Sequence, residues 1–170
     1  MGPEEFSFSF PFTLLDRLRV AFLLTPLSKA ALLAWSIWPC IALGYFVYWE
    51  MHHWRLNADF WWFVIFCLAF GPLVTVISVF AAYAQKRTRE PFKVTFSTSG
   101  IHTEANSYEF THRWSAISRV NTSGGFLFFF FSHNCAHCLP LSAVRAEGAL
   151  QPLLELARAS GVPKVCSFGA

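Results

Sequence analysis

Apolar and polar residues alternate in three different rhythms along the chain. At the start, Phe6, Phe8 and Phe10 alternate with serines, the period-two spacing of a strand. After Pro11, residues Leu14, Leu15, Leu18, Phe22 and Leu23 fall on one helical stripe, while Asp16, Arg17 and Arg19 lie mainly elsewhere. This predicts a short amphipathic helix with Thr13 as its N-cap. Two uncharged apolar runs follow, Ala30 to Trp49 and Phe60 to Ala84. Each reaches the roughly 20 apolar residues that a helix needs to cross a bilayer. From Pro91 onward the rhythm changes to short β runs. FKVTFS, IHTEA, YEFTHRW, ISRVN, FLFFFFS and CLPLS are separated by turn-forming TSG, Asn106-Ser107 and SGG. The last segment, GALQPLLELARAS, places Leu150, Leu153, Leu154 and Ala157 at helical spacing and ends at Gly161 and Pro163. Pro152 fits this helix only if the helix begins close to it.

The organisation predicted is an N-terminal strand and amphipathic segment over 1–28, a transmembrane helical hairpin over 29–85 (spans 30–49 and 60–84), a β domain over 91–161 and a tail over 162–170. Composition supports the membrane reading. Only 14% of the 170 residues are charged, where a soluble domain carries about 25%. The first run begins about 30 residues in and has no convincing cleavage site after it, which distinguishes it from a secretory signal. Arg17, Arg19 and Lys29 precede the first run, and Lys86, Arg87, Arg89 and Lys93 follow the second; the loop between them holds Arg55. This asymmetry places both termini in the cytoplasm, with Tyr48, Trp49, Trp54, Trp61 and Trp62 at the outer interface. The amphipathic helix then either lies in the inner interface or packs on the cytoplasmic domain. Ala30 with Ala34, and Ser78 with Ala82, are small residues four apart at the cytoplasmic ends; that spacing predicts close helix packing between them. Pro39 and Gly71-Pro72 are expected to kink the two helices.

A net charge of +3 gives no nucleic-acid footprint, and no ionisable residue inside the spans marks a transport path. The residues with the most chemistry are His133, Cys135, His137 and Cys138, in the stretch HNCAHC. Zinc takes four such ligands, but usually from two separated pairs. Extended, the stretch puts His133, Cys135 and His137 on one face with Cys138 opposed; further ligands would have to come from His102 or His112. The competing reading is a polar hairpin tip. The loop pair His52 and His53 invites a pH- or metal-sensor reading, but histidines in such a loop are mostly without a special role. Glu104 and Glu109 sit among polar turn residues, and SGG lacks the Lys-Ser/Thr of a phosphate loop. Lys86, Arg87, Arg89 and Lys93 are candidates for lipid-headgroup contact, each worth ~1 kcal/mol near an anionic surface.

The Phe-rich strand poses a packing question. Phe126, Phe128 and Phe130 point one way; Leu127, Phe129 and Phe131 point the other. One sheet over one helix covers only one face, so a second cover is needed. The N-terminal FSFSF, pairing with the sheet, is the favoured source.

The order VTFSTSGI…YEFTHRWSAISRV…GGFLFFFFS…LPLSAV…LLELAR resembles the C-terminal domain of bacterial YcxB-like proteins. The motif is Trp114-Ser-Ala-Ile117 before a strand, and Leu139-Pro140 before the final helix. The resemblance implies two membrane helices ahead of a fold similar to pleckstrin-homology (PH) domains, a bent antiparallel sheet closed by a C-terminal helix. It implies no reaction and no cofactor. The fold class expected is therefore an α+β membrane protein: a two-helix hairpin plus a cytoplasmic PH-like domain. The function expected is non-enzymatic binding, of a protein partner, a second copy or headgroups, with immunity against a toxin as a specific form. The alternative is a metal-binding sensor or enzyme built on the Cys/His hairpin.

Overall fold

A computed structural model describes residues 5–52, 58–85 and 90–166. Strand β1 (Phe6–Phe10) leads into helix α1 (Leu14–Leu24), a 3-10 turn (Thr25–Leu27), and the long helices α2 (Lys29–Met51) and α3 (Ala58–Ala84). Six more strands follow: β2 (Phe92–Ser97), β3 (Gly100–Ala105), β4 (Tyr108–Arg113), β5 (Arg119–Ser123), β6 (Phe126–Phe130) and β7 (Ala136–Pro140). Helices α4 (Leu141–Ala146) and α5 (Leu150–Ala159) complete the chain. The architecture is α+β, with two antiparallel sheets ordered β1-β2-β3-β4 and β5-β6-β7.

Thr13 caps α1 as its sequence predicts, accepting from the Asp16 N–H while the Asp16 carboxylate accepts from the Thr13 N–H. Helices α2 and α3 run antiparallel. Tyr45 meets Phe63, Trp38 meets Phe66 and Phe70, and Trp35 fills the notch at Gly71. A Cβ on Gly71 would sit 2.8 Å from the Trp35 ring, so only glycine fits there. Both helices are long and apolar enough to cross a membrane, and only 6% and 11% of their most apolar windows is buried inside the protein. A core helix of a soluble domain would hide most of such a surface. Pro39 and Pro72 both lie within helices assigned without a break.

The N-terminal strand belongs to the β domain, not to a separate segment. β1 pairs with β2 from Phe6↔Phe96 to Phe10↔Phe92, so the helical hairpin is an insertion between the first and second strands of the first sheet. Phe8 and Phe10 join the core with Phe96, Ile101, Leu127 and Phe129. FSFSF thus pairs with the sheet, but it does not cover the second face of the Phe-rich strand. That face, Phe126, Phe128 and Phe130, is covered by Val20, Leu23, Leu24 and Leu27 of α1 and the turn after it. Packing on the β domain is therefore the placement the fold gives α1. Its stripe is rotated from the one predicted: Leu15 is 56% exposed, and Phe22 turns to the Trp35 ring of α2. The tail is also shorter than predicted. Val162 is buried, and Val165 forms a parallel bridge to Val120 that extends the second sheet. The final helix begins at Leu150, which puts Pro152 in its first turn.

Candidate functional site

Strand alternation splits the HNCAHC stretch. His133, Asn134 and Cys135 lie in the loop after β6, exposed, where the Ser132 hydroxyl accepts from the Cys135 N–H. His137 and Cys138 lie in β7 and face opposite ways. Cys138 turns toward the α1-covered face, with Phe126, Phe128 and Phe130. Burial pushes its thiol up to about 12, so it stays protonated and is a poor metal ligand. His137 turns the other way, into the seam between the two sheets, 7% exposed. The four residues therefore do not surround one point. Among the described residues, no group of three or more His, Cys, Asp or Glu is placed to hold a metal ion.

What the fold brings together instead is His137 of β7 and His112 of β4. His137 Nε2 lies 2.9 Å from His112 Nδ1, and His137 Nδ1 lies 3.5 Å from the Thr103 hydroxyl of β3. One consistent proton arrangement satisfies all three groups: Thr103 O–H donates to Nδ1 of His137, whose Nε2–H donates to His112. Aromatic rings enclose the pair. Phe131 stacks on His112 with centroids 4.4 Å apart, and Phe110 stacks on His137 at 5.5 Å. Tyr108 continues the row beside Phe110. His112 was within reach of sequence reasoning as a further ligand, but its meeting with His137 depends on the non-local packing of β4 beside β7.

This seam is the floor of a cleft of about 650 Å³, within the range of small-molecule sites, ~300–1,000 Å³. Phe12, Phe92 and Phe110 contribute apolar walls and Arg17 of α1 a cation. The Arg17 guanidinium carbon is 5.8 Å from the centre of the Phe12 ring and 5.9 Å from that of Tyr83, a cation–π geometry on both. Sequence reasoning missed Arg17 as a site residue because it read as one more positive charge beside the first span.

The histidine pair makes a pH prediction. Burial, and then the neighbouring His112, hold His137 down to about 4, against ~6.5 in an unfolded chain. Its native state resists the proton that the unfolded state accepts, so stability is full above about pH 6.5 and is lost as pH falls toward 4. The loss is at most about 3 kcal/mol. Thermal melts of the full chain in detergent at pH 7 and pH 4.5 should show it. His137→Gln, which does not titrate, should lose less; equal losses in the two proteins would refute the assignment.

The remaining predicted residues have structural places. Trp114 and Ile117 form the corner between the sheets: a 3-10 turn spans Trp114–Ala116, both residues are buried, and the Trp114 indole N–H donates to the Ser97 carbonyl at 2.8 Å. Pro140 ends β7 and starts α4. Lys93 is exposed on β2, in register with Ser9 on one side and Glu104 on the other. Lys86, Arg87 and Arg89 lie outside the described residues, as do His53, Trp54 and Arg55. Ala34, Ser78 and Ala82 line a common groove with Ala21 of α1, whereas Ala30 is exposed and outside that groove. Close backbone approach occurs further along, at Trp35 and Gly71.

Comparison with known proteins gives one result. Residues 96–157 match the family profile described as YcxB-like protein. The match runs from the end of β2 into α5 and contains Trp114, Ile117 and Pro140. No curated protein and no solved structure gives a significant match. The buried Trp-Ile corner and the Leu-Pro entry to the closing helices both lie inside the matched stretch: residues 96–157 are a YcxB-like domain by their similarity to that family.

Proposed function

We propose that this is a membrane-anchored, non-enzymatic binding protein that works through a cytoplasmic PH-like domain. The observation that carries the reading is the cleft between the sheets, with its aromatic walls, a cation at Arg17 and a floor that includes His137, itself bonded to Thr103 and to His112 behind it. Aromatic and arginine side chains in a concave site are the usual anchors of recognition. Seven antiparallel strands in sheets of four and three, followed by C-terminal helices, support the PH-like reading. The Lys and Arg flanks of the two apolar helices support a bacterial inner-membrane location with both termini cytoplasmic.

The partner proposed is a protein. Protection against an incoming toxin is one form such binding takes, and survival of toxin-challenged cells that express the chain tests that form. The general reading is tested by a photo-crosslinking residue placed at Phe110, on the cleft wall, with Glu147 as an exposed control far along the chain. A discrete adduct from position 110 that is absent from 147 is expected. Identical adduct patterns from the two positions would refute the cleft as the binding surface.

A further inference from the structure

The second concavity of the molecule lies where α1, α2 and α3 meet. It holds about 450 Å³ and is lined by Ala21 and Thr25 of α1, by residues of α2 from Ala31 to Trp38, and by residues of α3 from Phe70 to Ala82. These are the halves of α2 and α3 nearest the β domain. Three hydroxyls line it, and each is turned onto its own helix. Thr25 donates to the Ala21 carbonyl at 2.6 Å, Thr75 to Gly71 at 3.2 Å and Ser78 to Val74 at 2.7 Å. With its hydroxyls turned inward, the groove presents a mainly apolar lining and suits hydrocarbon.

The thirteen residues of α3 from Phe70 to Ala82 rise about 18 Å, close to one leaflet of a hydrocarbon core about 30 Å thick. An apolar groove one leaflet long suits a single extended hydrocarbon chain. At the end nearest the β domain, Arg17 stands one helical turn before Ala21, and its guanidinium lies over the ring of Tyr83, the residue after Ala82. A fixed cation at the open end of an apolar channel complements an amphiphile with an anionic head.

We infer that the groove between α1, α2 and α3 binds one acyl chain of an anionic phospholipid, with the headgroup at Arg17. The bound lipid then wedges α1, and through it the Phe126–Phe130 face, against the hairpin. The inference rests on the membrane reading of α2 and α3; it shares Arg17 with the cleft proposed for the protein partner, while the channel residues Ala34 and Ser78 belong to the groove alone.

Native mass spectrometry of the full chain in detergent, with equal dioleoylphosphatidylglycerol and dioleoylphosphatidylethanolamine added, tests it. One phosphatidylglycerol should stay bound. Ala34→Phe and Ser78→Phe, which fill the channel, should each lower its retention at least tenfold, while Leu33→Phe, on an exposed position outside the channel, should not. Arg17→Gln should retain the two lipids equally. Retention of neither lipid by the wild type, unchanged retention in both channel variants, or a wild-type dimer that those variants dissolve would overturn the proposal. Flotation with vesicles separates the two layers: a chain that fails to float sinks the membrane reading, and a chain that floats without retaining lipid sinks only the groove.

Discussion

A chain lacking residues 1–10 is expected to lose the fold of its β domain. The deletion removes β1 and with it Phe8 and Phe10, which are 1% and 7% exposed in the main core. Truncating a buried Phe costs about 3–5 kcal/mol, so the two side chains together account for about 6–10 kcal/mol. A whole domain is stable by only about 5–15 kcal/mol. The deletion also strips β2 of every ladder bond from Phe92 to Phe96 on that side, leaving an open edge over the core. Circular dichroism of the detergent-solubilised chain should show the helices retained and no cooperative β-domain melt. The double variant Phe8→Ala/Phe10→Ala keeps the strand and should melt between the two. A truncated chain with the wild-type melting temperature would show that β1 is dispensable, against the pairing described.

Trp114→Ala should be the most damaging single substitution outside the glycines. Its ring packs on Phe96 of the first sheet and Phe129 of the second, so it joins the two at their corner. Losing the ring costs about 3–5 kcal/mol. The Ser97 carbonyl also loses its indole donor, worth about 1–3 kcal/mol if left unsatisfied. Trp114→Phe keeps most of the packing and loses the hydrogen bond, so it should fall between wild type and Ala. Chemical denaturation of the three proteins would establish the order; a Phe variant as stable as wild type would remove the hydrogen bond from the account.

What was legible in the sequence was local. The alternation of FSFSF and FLFFFF gave the strands and the parity of their side chains, because a period of two needs no tertiary information. The two apolar helices and the position of the last helix were legible for the same reason. Which surface covers each face was not. Periodicity gives α1 a stripe through Leu14, Leu15, Leu18, Phe22 and Leu23, of which the Phe-rich strand takes Leu23 and adds Val20, Leu24 and Leu27, a choice made by docking and not by periodicity. Helix α4 has six residues, too few to show a helical repeat, and it went unseen. The single bridge from Val165 to Val120 has no period at all. The histidines show the limit most sharply. His133 to Cys138 are neighbours in sequence and part company in space, while His112 and His137, 25 residues apart, share a hydrogen bond.

The insertion of the hairpin between β1 and β2 has a consequence for how the protein is made. Phe10 and its register partner Phe92 are separated by the whole anchor. At about 5–20 residues per second of synthesis, the first strand waits several seconds, roughly 4–16 s, before its partner exists. The first sheet therefore closes only after both long apolar helices have been made, and until then β1 is an orphan Phe-rich strand, the kind of surface that chaperones engage.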